Sequence, residues 1–226
     1  MMKKLLFPPL HSTMVHIASV VALCTQAACT TPQAPVAKAV YDLGLPLAAT
    51  ARNPVLTIGA PTLAAPPAAP PAVILADIAT GAALDSTAML YRLDYADIQQ
   101  LRPYTLARWS MPPAQLLRQR LREHLGQRRA VLNAADGSAS TAPILLRIEL
   151  EEFSQLFESP SISTGLLRLR ATALQPSSQG ERLLGQRSFT VQRPSPSADA
   201  TGGVRALTAA SDAAIEEIDL WLQQLR

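Results

Sequence analysis

Residues 144 to 153 carry the strongest alternation in the chain. Ile144, Leu146, Ile148 and Leu150 share one parity, and Leu145, Arg147, Glu149 and Glu151 share the other. A period of two puts these sets on opposite faces of a strand, with the first facing a core. Residues 166 to 174 repeat the pattern, with Leu167, Leu169 and Ala171 on one side and Arg168 and Arg170 on the other. Residues 183 to 192 read as a third strand, with Leu183, Phe189 and Val191 on one side. Gln175 to Gly180 is a polar, Pro- and Gly-containing connection of the kind that joins a hairpin. Glu149 and Glu151 can pair across strands with Arg168 and Arg170 on a solvent face. Such pairs contribute about 0.2–1 kcal/mol each and fix register without forming a site.

Two stretches change period. From residue 113 to 125, Leu117, Leu121 and Leu125 recur every four residues with Leu116 beside them. This is an amphipathic helix, opened by Pro112 and Pro113 and stopped by Gly126. Arg118, Arg120 and Arg122 are expected to point away from the stripe, as a solvated face. A second helix is expected over about 203 to 225. Its stripe is Val204, Leu207, Ser211, Ala214, Ile218, Trp221 and Leu225, with Glu216, Glu217 and Asp219 largely off it.

Shorter strand signals precede these elements. Val40 to Leu43 and Val55 to Ile58 read as strand pieces, and Val73 to Ile78 as a buried strand. Met89 to Leu93 follows after a turn and is expected to be its neighbour. Residues 60 to 72 hold five prolines and can be neither helix nor interior strand, so they read as a surface loop. The fold class that follows is α/β or α+β: a single mixed or antiparallel sheet with helices packed on it.

The first 28 residues read differently from the rest. Lys3 and Lys4 precede a short apolar core, Met14 to Cys24, and small residues lead to Cys29. The core has the length of a secretory signal and is too short for a membrane-spanning helix of roughly twenty residues. The stretch resembles a lipoprotein signal, with residues 1–28 removed, Cys29 the lipid anchor, and 29–37 a flexible tether. Gln26 departs from the Leu, Val or Ile usual three residues before the cysteine. Cys24 has Val21 at that place but bulky Leu23 just before it. An ordinary cleaved signal without lipid is the third reading. Both cysteines of the chain lie here, so residues 30–226 form no disulfide and no thiolate metal site.

Composition excludes more than it selects. The formal charge of +3 falls to +1 once Lys3 and Lys4 are removed, and aromatics are 4% of the chain. That is not the basic, aromatic-studded surface of a nucleic-acid binder. After residue 28 the only histidine is His124, next to Glu123, with no nucleophile or orienting partner in a recognisable motif. No phosphate loop, dinucleotide fingerprint, nucleophile elbow or zinc-protease motif is present. Gly202-Gly203 reads as helix entry. Glu151-Glu152 would point to opposite faces of a regular strand, and Glu216-Glu217 lies on a polar helix side, so neither pair reads as an acid–base couple. The chain reads as no enzyme and calls for no cofactor or metal.

The middle of the chain carries a resemblance. Leu84-Asp85 lies near a turn and Tyr91-Arg92 in a strand. Tyr104 stands shortly before Trp109, and Pro112-Pro113 opens the leucine helix. Glu152-Phe153, Phe157 and the closing Gly203-Val204-Arg205-Ala206-Leu207 helix with Trp221 follow in order. This pattern, over residues 38–226, resembles the ABC-type transport auxiliary lipoprotein family, which includes the PqiC-like lipoproteins. The resemblance implies a non-enzymatic lipoprotein facing the periplasm. It would act with ABC transporter subunits and an MCE-domain protein in moving lipid or another hydrophobic solute through the envelope. Some members assemble into rings around a partner tube, so a homo-oligomeric ring is an expectation here. Thr30 after the cysteine favours the outer membrane over the inner. The alternative is a structural lipoprotein assisting assembly of another outer-membrane complex. Tyr104 and Trp109 are the candidate partner-binding residues, weighed against a core role.

Overall fold

Residue 144 begins the strand around which everything else is arranged. The computed structural model describes residues 37–45, 70–133 and 143–225. Val55 to Ile58, residues 60–69 of the proline loop and Cys29 lie outside the described residues. In chain order the elements are β1 (Ala39–Tyr41), β2 (Val73–Leu75), β3 (Ala79–Thr80), β4 (Ala88–Leu93) and β5 (Asp97–Trp109). Then come α1 (Pro113–Gly126), β6 (Val131–Leu132), β7 (Ile144–Ser159), β8 (Ile162–Ser177), β9 (Gly180–Pro194) and α2 (Ala200–Gln224).

All these strands join one mixed sheet, making an α+β fold. β8 lies antiparallel along the whole of β7, and β9 antiparallel along β8. With one edge of β7 so occupied, β2, β3 and β4 add in parallel to the other edge, one after another. β2 meets residues 144–146 and β4 meets residues 155–157. These two strands are therefore collinear and do not pair with each other, contrary to the sequence expectation. β5 returns antiparallel to β4, and β1 adds parallel to its end. The connection expected at Gln175 to Gly180 is the β8–β9 hairpin, with Ser177 opposite Gly180.

Two bulges change which side chains face the core. In β7 the register passes from Leu150–Leu169 to Glu152–Arg168, leaving Glu151 as the extra residue. Before it, Ile144, Leu146, Ile148 and Leu150 are buried; after it, Phe153 and Phe157 take over. Glu151 and Glu152 consequently line the same outer depression, together with Glu149. The expectation that they point to opposite faces fails because the strand is not regular there. In β9 the register slips between Gly185 and Leu183. Leu184 then packs against the core, and Leu183 is left 59% exposed.

β5 has no strong sequence signal. Only four of its thirteen residues are in register with β4, through two irregularities, and β1 covers only Ala107 to Trp109. A strand that is mostly exposed and irregular shows no alternation, and it tolerates Pro103 because it lies at a bulged sheet edge.

The helices follow their apolar stripes. In α1, Leu116, Leu117, Leu121 and Leu125 are buried, and Pro113 stands in the first turn behind Pro112. α2 begins earlier than its periodicity suggests. The Asp199 side chain accepts from the Gly202 N–H (2.7 Å), which caps the helix before both glycines. Leu207, Ala210, Ala214, Ile218 and Leu222 bury its inner face against β8 and β9. The helix backbone comes close at Gly165 of β8. A Cβ there would stand 2.7 Å from the backbone of Ala206 and Leu207.

Candidate functional site

Tyr104, half-buried on β5, is held from two sides. Its ring lies 4.8 Å from that of Tyr91, which in turn meets Phe157 edge-on at 5.8 Å. Its hydroxyl donates to Gln155 Oε1 (2.9 Å), and Gln155 Nε2 donates to Ser163 Oγ (2.8 Å). Burial above all, then Tyr91 and Asp199, pushes the hydroxyl well above the ordinary phenol range. Tyr104 therefore stays protonated and acts as a fixed donor. Gln155 is fully buried and its amide sits against Gly203, where a Cβ would stand 2.0 Å from Gln155 Oε1.

Trp109 lies in the core, fully buried, with its ring 5.5 Å from Phe153. It presents no surface in this state. Of the two aromatic candidates, only Tyr104 retains any exposure, and its polar end is turned inward.

The basic residues of α1 do not form the solvated face that their spacing suggests. Arg120 is buried: its guanidinium makes a two-point ion pair with Asp212 of α2, with Nη2 2.9 Å from Oδ2. Its Nη1 donates to the Leu43 and Gly44 carbonyls (2.9 and 3.1 Å). Arg118 pairs with Asp77 and reaches the Leu75 and Ala76 carbonyls. Arg122 bonds the Val131 carbonyl and Asn133. Each long side chain extends from the helix flank to satisfy backbone or a counter-charge.

Asp219 is likewise fully buried, contrary to its expected place off the stripe. It accepts from Arg129 Nη2 (2.7 Å), Arg128 Nη1 (3.0 Å) and Gln223 Nε2 (3.2 Å). His124 sits beside this cluster, 3.3 Å from Glu216 Oε2. Asp212, Glu216 and Asp219 recur at helical spacing along the side of α2 that meets α1. That column and the Arg128-Arg129 pair were the sequence signal for a charged seam between the helices.

On the outer sheet face the expected ladder is present. Glu151 pairs with Arg168 and Arg170, and Glu149 with Arg170. The hydrogen bond from Arg170 holds the Glu151 carboxyl below its usual range. Glu152 is bound by Arg92 at two points, Nη2 to Oε2 being 2.9 Å. These carboxylates are neutralised by arginines. Among the described residues no group of three or more His, Cys, Asp or Glu could hold a metal ion. None of the described helices is long and apolar enough to cross a membrane.

An open groove of about 580 Å³ runs between the β1 segment and α2. Val40, Leu43, Leu45, Val204 and Ala209 give it apolar walls, and the Arg120–Asp212 pair closes one side. Tyr41 reaches across from β1 to Thr201 of α2 (3.1 Å). The groove offers contact surface and volume but no acid–base couple, since its buried charges are committed to each other.

Comparison with known proteins agrees in kind. No curated protein sequence matches the chain. Protein XCC0632 from Xanthomonas campestris, a DUF330 family member, is 23% identical; the likeness covers 70% of this chain and 91% of that one, with a TM-score of 0.58. A second solved structure, of an uncharacterized protein, is 14% identical over 84% of this chain and 99% of its own, with a TM-score of 0.54. At these identities the likeness speaks to the fold. The family model for the ABC-type transport auxiliary lipoprotein component matches residues 55–219, most of the chain and every element from β2 to the greater part of α2. The chain belongs to the family of ABC-type transport auxiliary lipoprotein components.

Proposed function

We propose that this protein is the non-enzymatic, membrane-tethered auxiliary subunit of an ABC/MCE-type system that moves lipid or another hydrophobic solute through the bacterial envelope. The observation that carries this reading is the family match over residues 55–219. The physical character of the domain supports it. The buried charged side chains Arg120, Arg129, Glu152 and Asp219 among the described residues are engaged in structural ion pairs, which suits a scaffold. Cys29 carries the lipid anchor in this reading, and residues 30–37 let the domain stand off the periplasmic side of the outer membrane. Its partners are the ABC transporter subunits and an MCE-domain protein.

Complementation tests this function. Cells lacking the protein should lose part of their barrier to hydrophobic compounds, and the full chain should restore it. The Cys29→Ser chain should accumulate in the soluble periplasm and fail to restore the barrier. Full restoration by Cys29→Ser would contradict the tether. An unchanged barrier in the deletion, together with normal lipid distribution between the membranes, would contradict the transport role.

A further inference from the structure

Two hairpin tips leave the sheet side by side. β4 and β7 are parallel, with Leu93 opposite Phe157, so the turn after each strand projects in the same direction. The Asp94 N–H donates to the Phe157 carbonyl (2.9 Å) and ties the tips together. One tip runs from Asp94 to Ile98, the other from Glu158 to Ile162. Large apolar side chains stand in solvent on both: Tyr95 is 50%, Ile98 43% and Ile162 57% exposed. Single exposed apolar residues are ordinary, but here three stand on two adjoining tips, and together they are taken as an apolar patch.

The charged residues on the tips themselves have one sign. Asp94, Asp97 and Glu158 are all exposed there. Arg92 is consumed by Glu152 and by the Ile98 and Gln99 carbonyls, and Arg102, further along β5, bonds Gln100. Arg193 of β9, opposite Gly165, lies one strand further out and leaves the tips net negative. An anionic lipid surface would repel these three carboxylates. A protein surface with an apolar centre and a cationic rim would complement both the apolar and the charged parts.

We infer that the paired tips dock a protein segment whose apolar residues are rimmed by lysine or arginine. The inference does not depend on which transport system the protein serves. A photo-crosslinking side chain placed at Tyr95, and separately at Ile162, in the full chain tests it in detergent-solubilised envelopes. Both probes should give an adduct with the same protein, at a peptide bearing Lys or Arg, while a probe at exposed Leu220 on α2 should not. Asp94→Lys/Glu158→Lys should cut the adduct yield about tenfold, as expected for a charge-dependent encounter, with unchanged circular dichroism and melting temperature. Should that variant lose its fold, a salt titration of the wild-type adduct reads the same dependence. Adducts with lipid alone, no adduct from either tip, or a protein adduct indifferent to both salt and charge reversal would overturn the proposal. A charge-sensitive adduct with a protein from outside any transporter would uphold it and count instead against the proposed function.

Discussion

Arg120 of α1 and Asp212 of α2 meet at two points, and the same guanidinium holds the Leu43 and Gly44 carbonyls. One buried side chain thus joins both helices to the segment that follows β1. Removing one partner from a buried pair leaves the other uncompensated, at a cost of about 3–5 kcal/mol. Asp212→Ala should cost about 3 kcal/mol, the lower end, because the carboxylate is partly exposed. Arg120→Met/Asp212→Leu should recover most of that loss. Urea unfolding of the wild type and both variants checks these, and a double variant no better than the single one would show that the carbonyl contacts dominate.

The glycines at the sheet–helix contact should differ in their response to alanine. At Gly165 the new Cβ would meet α2 backbone at 2.7 Å, so the whole helix must move. At Gly203 it would meet the end of the Gln155 side chain at 2.0 Å, which can turn aside at the expense of the Tyr104 bond. Gly165→Ala should therefore lower stability by about 3 kcal/mol or more, the upper range for overpacking. Gly203→Ala should cost about 1–2 kcal/mol, mostly the broken hydrogen bond. Thermal melts that rank them the other way would refute this account of the contact.

Tyr104 supplies a pH signature. Its folded-state proton is held more tightly than that of an ordinary phenol, so the unfolded chain ionises first as pH rises. Above about pH 10 the unfolded state binds fewer protons than the folded one, and stability falls with pH. Below that range the contribution is fully present. Tyr104→Phe should remove this alkaline slope, with a loss of about 1 kcal/mol at neutral pH for the Gln155 bond. An unchanged slope in the variant would mean another group is responsible.

Asp199 tests the start of α2. Its carboxyl is held below the usual range by the Gly202 N–H first and by Ser197 second. That stabilisation is present above the unfolded carboxyl range and is lost as pH falls through the lowered folded value. Asp199→Ala should cost about 1 kcal/mol at pH 7 and progressively less on acidification. A constant difference between the two proteins at all pH values would exclude the capping role.

Periodicity revealed the elements that are regular and half-buried. β7, β8 and α1 were legible because Ile144 to Leu150 and Leu117 to Leu125 hold their period against one core. It failed where the chain breaks period or where a polar residue takes a core place. The bulge at Glu151 turns Glu152 to the outer face, and the slip near Leu183 exposes that leucine. β5 is an irregular edge strand whose exposed residues carry no alternation. Arg120 and Asp219 were misplaced because a single helix stripe does not show which charge the other helix will bring to it. The Asp212, Glu216 and Asp219 column held that information, and it acquires meaning only when the two helices are side by side. Tyr104 and Trp109 were both visible as large aromatics near a proline turn. Their different settings depend on β4 and β7, which are remote in sequence.

Affinity purification of the full chain from cross-linked envelopes, with quantitative mass spectrometry of what comes with it, reads out whether the protein serves an ABC/MCE-type transport system. ABC transporter subunits and an MCE-domain protein should be the most enriched partners. A secretin or an outer-membrane barrel as the main partner, with no transporter subunit enriched, would contradict it.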